Sequence, residues 1–298
     1  MLLEILKATQ EAAIACTDFI GKGNEKLADK AAVDAMRKAL NQMNFKARIV
    51  IGEGERDQAP MLYIGEEVGL IKDGQVQYDI AVDPLEGTTL CANAMPGSLA
   101  VLAISEYEGM LHAPDVYMDK IASSIKDQVI DLDETVANNL KNIASYKKSN
   151  ISDVKVIILD RPRHQEIIAK AREAGANVKL ISDGDVAAVI EVAMGKADLY
   201  LGIGGAPEGV LAAAALKTLG GQMMGRLIFK DEMEKAKAHK LGIIDLNKKY
   251  QLNELVSKDA IFCASGVTSG PLLDGVKGLS THSLVLSSKD KQVLEIRT

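Results

Sequence analysis

Residues 154–160, VKVIILD, open a stretch in which strand and helix signatures alternate as far as residue 221. RHQEIIAKAREAGA (163–176) reads as a helix closed by Gly175, NVKLIS (177–182) as a strand and DVAAVIEVAMGKA (185–197) as a helix. DLYLGIGG (198–205) then reads as a strand and PEGVLAAAALKTLGG (207–221) as a helix. Apolar runs of strand length separated by amphipathic segments with short connections are the mark of α/β layering around a parallel sheet.

Working outward, the first half has a different rhythm. Two helices open the chain, the second from about Lys26 to Asn44, with Ala28, Ala31, Ala32, Ala35, Met36, Ala39 and Leu40 on one face. RIVIGEGE (48–55) reads as a buried strand ending in a Gly-rich turn, and a short helix is expected after Pro60. YDIAVDPLEGTT (78–89) carries a strand expected to break at Asp83-Pro84, and SLAVLAISE (98–106) continues the β pattern towards a hairpin turn at Gly109. This half looks α+β. The expectation is an α/β protein of two intimately packed sheet-and-helix halves, 1–150 and 151–298, not two domains on a linker, with the polar stretch NIASYKKSNISD (142–153) as the nearest candidate for a boundary.

Composition narrows the function. The 298 residues are 47% hydrophobic and 26% charged, which excludes disordered and low-complexity classes. A formal net charge of −6 argues against a nucleic-acid-binding surface, and 4% aromatics without Trp leave little material for base stacking. The three cysteines (Cys16, Cys91, Cys263) are too far apart in sequence for a zinc ribbon or disulfide framework and point to a reducing compartment. Glu4 and Lys7 interrupt the first apolar stretch, and no apolar run approaches the roughly 20 residues of a membrane span, so a cytoplasmic chain is expected.

The informative pattern is carboxylates at strand ends beside glycines: Glu53 and Glu55 in IGEGE, and Asp83 and Glu86 in DPLEG. In α/β sheets ligands bind at strand ends. Pro84 denies the ladder a hydrogen bond, and a three-residue spacing across a tight turn aims two carboxylates at one point. Oxygen ligands without histidine suit Mg²⁺ or Mn²⁺ working on a phosphate. The plainer alternative is that Asp83 and Glu86 cap a turn.

DPLEGTT resembles the DP[IL]DGT signature of the lithium-sensitive, Mg²⁺-dependent sugar phosphatases, with Glu86 where most members have Asp. With IGEGERDQAPMLYIGE (51–66), HAPDVYMDK (112–120), RPRH (161–164), SDGDVAA (182–188) and YLGIGGAPEGV (200–210), the chain is similar to the class II (GlpX-type) fructose-1,6-bisphosphatases from about residue 10 to about residue 285. The resemblance implies a layered αβαβα fold and hydrolysis of the 1-phosphate of fructose 1,6-bisphosphate by a water activated by divalent cations. It also implies a homo-oligomer, dimer or tetramer.

By the same resemblance the metal ligands are Asp29, Glu53, Asp83, Glu86 and Glu208, and Thr88 backed by Asp57 aligns the water. The implied substrate contacts are Gly87, Thr88, Tyr117, Arg161, Arg163, Asp183, Gly184, Asp185 and Gly205. Arg161 stands where Lys is frequent. Read without the family, Asp29 is a solvated helix residue and Glu208 a helix-start residue behind Pro207. Thr89 is an alternative to Thr88, and His164 is expected to be a bystander. Cys16 and Cys263 read as core, while Cys91 is the thiol beside the proposed site. Two other readings stay open: sedoheptulose 1,7-bisphosphate as substrate, and an inactive binding protein on the same fold.

Overall fold

The protein is described from a computed structural model, and the residues described are 2–54 and 61–298. Its first elements are α1 (Leu2–Ala15), α2 (Glu25–Leu40), β1 (Ala47–Ile51), β2 (Glu67–Val68), β3 (Tyr78–Glu86), α3 (Thr88–Ala92) and β4 (Leu99–Glu106). Then come β5 (Tyr117–Ser123), α4 (Val136–Lys147), β6 (Lys155–Leu159), α5 (Gln165–Glu173), β7 (Asn177–Ile181), α6 (Asp185–Ala193), β8 (Leu199–Gly205) and α7 (Ala206–Leu219). The chain ends with β9 (Gln222–Ile228), α8 (Glu232–Lys240), β10 (Lys249–Gln251), α9 (Leu252–Leu255), β11 (Ala260–Gly266), β12 (His282–Ser287) and β13 (Gln292–Arg297). The class is mixed α/β, as expected.

The chain divides into two compact units, Met1–His112 with Val256–Thr298, and Ala113–Leu255. The borders therefore do not fall at residue 150. The last three strands return to the first sheet, whose order is β13-β12-β11-β4-β3-β1-β2. No local signal announces this return, because it is fixed by the pairing of Leu99–Ser105 with Gly266–Ala260. The same pairing removes the expected hairpin at Gly109. The free edge of β4 is taken by β11, and the Gly109 carbonyl receives the Ser257 N–H instead (2.8 Å).

In this first unit, α2 starts at Asn24, whose side chain accepts from Leu27 N–H, and ends at Leu40 rather than near Asn44. Its face of Ala28, Ala32, Met36 and Leu40 packs with Ile5 and Ala12 of α1 on Ile49, Ile80 and Leu102 of the sheet. Strand β3 is buried along most of its length, with β1 parallel on one side and β4 antiparallel on the other. Residues 61–66 do not form the helix expected after Pro60. They turn back, with Glu53 N donating to Leu62 O and Ile64 N to Gly54 O, both at 3.0 Å.

The second unit has a six-stranded sheet, β10-β9-β5-β8-β6-β7. The strand–helix alternation appears where it was expected, and β6 runs parallel to both β7 and β8. The sheet is mixed, because β5 pairs antiparallel with β8 and β9. Its core gathers Ile121, Leu140, Ile143, Val156, Ile158, Ile168 and Leu199. No helix among the described residues is long and apolar enough to cross a membrane.

Candidate active site

In the first unit, Pro84 does not end its strand. It makes a bulge: the pairing of β3 with β4 shifts register between Asp83 and Glu86, since a proline cannot donate to the ladder. The Asp83 carboxylate folds over its own turn and accepts from Leu85 N–H (3.1 Å), while Ser98 Oγ donates to the Glu86 carbonyl (3.0 Å). Gly87 then takes the left-handed conformation (φ 74°), from which α3 departs. The outcome is two carboxylates that each bring an oxygen within 4.8 Å of the other. Glu86 is only 4% exposed. Two like charges at this separation repel each other, and an all-oxygen donor set fits a hard divalent cation.

Thr88 is the first residue of α3, and its hydroxyl donates to Leu85 O (3.0 Å). The turn-hydroxyl geometry is thus the one adopted, leaving the lone pairs of Oγ1 to accept a hydrogen from water. Thr89 is exposed. Asp29, half-buried on α2, has its pKa raised by burial. Glu53 is half-buried at the end of β1, its backbone pinned by the Leu62 carbonyl. Asp57 lies outside the described residues.

In the second unit the loops after β6, β7 and β8 carry the predicted contacts. Behind β6, Pro162–His164 form one tight turn with Arg161 at its start. Arg163 Nε donates to Ile203 O (2.8 Å), and its guanidinium stands 4.9 Å from the centre of the Tyr117 ring. Arg161 approaches Asp183 at 3.9 Å. After β7, Gly184 (φ 87°) caps α6, whose first residue is the buried Asp185. After β8, Gly205 precedes α7, with Pro207 and Glu208 in the first turn and Glu208 Oε2 enclosed by protein. A carboxylate there is favoured by the helix dipole.

The whole chain, residues 1–298, matches the sequence profile of the bacterial fructose-1,6-bisphosphatases, glpX-encoded. The chain belongs to that family. It is 45% identical over 97% of its length to the D-fructose 1,6-bisphosphatase class 2/sedoheptulose 1,7-bisphosphatase of Synechococcus elongatus, covering 92% of that protein. The protein of the same name from Trichodesmium erythraeum is 44% identical, over 97% of this chain and 92% of its own. Among solved structures, the chain resembles the extragenic suppressor protein suhB from Bartonella henselae at 14% identity and a TM-score of 0.38, covering 66% and 73% of the two chains.

As a member of the glpX-encoded fructose-1,6-bisphosphatase family, the chain is a phosphatase, and its acidic bulge is in keeping with the divalent metal that such enzymes need. The structure pairs Asp83 with Glu86 in one unit, and Arg163 with Tyr117 and Arg161 with Asp183 in the other. Asp29 and Glu53 belong to no group of three or more acidic, histidine or cysteine side chains this close together among the described residues.

Three features escaped the sequence reading. Lys230 lies against Tyr117, its ammonium 4.8 Å from the ring centre. His164 is no bystander in structural terms: it is buried, and its Nε2 accepts from Ile203 N–H (2.7 Å), which puts the proton on Nδ1, facing Leu159 O (2.8 Å). Burial lowers its pKa, so the neutral ring ties the ends of β6 and β8 together. Third, Lys120 is buried on β5 and bonded to Asp185. All three cysteines are buried, Cys16 and Cys263 in the core as expected.

Proposed function

We propose that this phosphatase hydrolyses the C1 phosphate of fructose 1,6-bisphosphate, giving fructose 6-phosphate and inorganic phosphate. The observation that carries the reading is the Asp83–Glu86 bulge, in a chain whose entire length matches the family. Asp29, Glu53, Asp83, Glu86 and Glu208 are assigned to the cations, Mg²⁺ or Mn²⁺. When bound, such ions neutralise the scissile phosphate and acidify a water. Thr88 accepts a hydrogen from that water, and Asp57 is assigned to take its proton. Gly87 gives the backbone room beside the phosphate. Arg161, Arg163 and Tyr117 hold the far phosphate, so that remote binding energy positions the reacting end. Asp183, Gly184, Asp185 and Gly205 are assigned to the sugar, whose hydroxyls donate to the carboxylates. The reading extends to gluconeogenic metabolism, a cytoplasmic location and a homo-oligomeric state, dimer or tetramer.

A second substrate, sedoheptulose 1,7-bisphosphate, is favoured by the double name of the relatives at 44–45% identity. The test is phosphate release from both bisphosphates, with chelator and then with Mg²⁺ or Mn²⁺. Metal-dependent release from fructose 1,6-bisphosphate is expected, with Asp83→Ala reducing it at least 100-fold, on the order of the loss of one essential transition-state group. Wild-type turnover by Asp83→Ala at saturating Mg²⁺ would remove the metal assignment.

A further inference from the structure

Position 120 is an unusual place for a lysine. Alternation along β5 puts Lys120 on the same face as Met118 and Ala122, all of them buried, and its side chain is 1% exposed. An ammonium so enclosed needs a counter-charge and hydrogen-bond acceptors. It has both: Nζ donates to Asp185 Oδ2 and to the Gly205 carbonyl (2.9 Å), and the Tyr200 hydroxyl donates to the same Asp185 oxygen (3.4 Å).

The surrounding glycines make room for this pair. A Cβ at Gly204 would overlap the Asp185 carboxylate and sit 3.0 Å from Lys120 Nζ; one at Gly209 would sit 3.1 Å from Lys120 Cδ and 2.7 Å from Met118 Sδ. The glycines of GIGGAPEG (202–209) are thus explained in part by a buried cation on another strand.

The two acceptors of Lys120 belong to different loops. Asp185 opens α6; Gly205 leads directly into α7, whose first turn carries Glu208. We propose that Lys120 is a positioning residue that fixes both loops at once. It holds Asp185 through Oδ2, leaving Oδ1 as the oxygen engaged by neither Lys120 nor Tyr200, and it anchors the backbone from which Glu208 projects. The inference rests on the assignment of Asp185 to the sugar and Glu208 to the metal.

The test compares the full-length wild type with Lys120→Met, Asp185→Asn and the double variant. Three quantities are measured: KM for fructose 1,6-bisphosphate, half-saturating Mg²⁺ (from rates and, independently of activity, from the Mg²⁺-induced rise in Tm), and Tm in chelator. Lys120→Met is expected to raise KM and half-saturating Mg²⁺ each about tenfold, the scale of lost support to a metal ligand. Asp185→Asn is expected to raise KM alone. The double variant strands no charge, so its Tm returns towards wild type, while its raised Mg²⁺ requirement persists. If its Mg²⁺ half-saturation equals that of Asp185→Asn by both readouts, Lys120 is merely a counter-charge and the proposal is overturned. If Asp185→Asn leaves KM unchanged while the double variant still needs about tenfold more Mg²⁺, the sugar assignment of Asp185 falls and the hold of Lys120 on α7 stands.

Discussion

Replacing Asp83 by Asn should make the metal-free protein more stable, although it should abolish the metal response. The reason lies in the distance. Carboxylate oxygens of Asp83 and Glu86 come within 4.8 Å; at that separation two unit charges repel by roughly 3.5 kcal/mol at an effective dielectric of about 20, and by about 0.9 kcal/mol in bulk water. Glu86 is enclosed and Asp83 half-buried, which puts the repulsion between those limits, about 2 kcal/mol. Asn retains Oδ1, so the hydrogen bond accepted from Leu85 N–H is kept. In excess chelator the variant should therefore melt higher than wild type by about 4 °C, at roughly 2 °C per kcal/mol for a domain of this size. In Mg²⁺ at about 100 times its Kd, wild type gains about 2.7 kcal/mol and overtakes a variant that gains little. The assay is a thermal melt of both proteins in chelator and in Mg²⁺. An Asn variant that melts below wild type in chelator would refute the repulsion, and equal Mg²⁺ gains in the two proteins would refute the role of Asp83 as a ligand.

Arg163→Ala should raise KM for fructose 1,6-bisphosphate about tenfold or more with a smaller change in kcat, as expected when a remote charge-assisted contact is lost. Initial rates on fructose 1-phosphate, which lacks the far phosphate, should be almost the same for wild type and variant; an equal loss on both substrates would contradict the assignment. Acid stability should depend on Asp79, which is fully buried. Burial alone would push its carboxyl up, but hydrogen bonds from His112 and Arg48 hold it below its ordinary value of 3.8. A depressed carboxylate contributes stability above the unfolded pKa and loses it as pH falls through the folded one, so unfolding should become easier below about pH 4. Asp79→Asn should cost about 2–3 kcal/mol near neutral pH, because bonds to the charged group are lost, and should flatten the acid limb of a denaturation series. An unchanged acid limb would show that Asp79 is not the group responsible.

What the sequence disclosed, and what it hid, follows the range of the chemistry involved. Pro84 acts on its own ladder position, and Gly87 supplies the left-handed turn within one residue of Thr88. The carboxylate pair could therefore be placed from seven consecutive letters, DPLEGTT. Even there, one property depended on a partner: whether Pro84 ended the strand or bulged it was decided by β4, which continues the pairing as far as Glu86–Leu99. The alternation after residue 154 is equally local, and its helices and strands lie where the apolar period puts them. The return of β11 to β4 has no such signal, since AIFCASG (260–266) reads as a buried strand whichever sheet receives it. Lys120 is the sharpest case. In YMDKIAS (117–123) nothing local marks the lysine that follows Asp119 as buried, and the acid that makes it a core residue comes 65 positions later. The trace it leaves is indirect, in glycines that a helix start does not itself require. Where a helix N-terminus carries more glycine than its cap demands, a buried side chain from another strand is the group to look for.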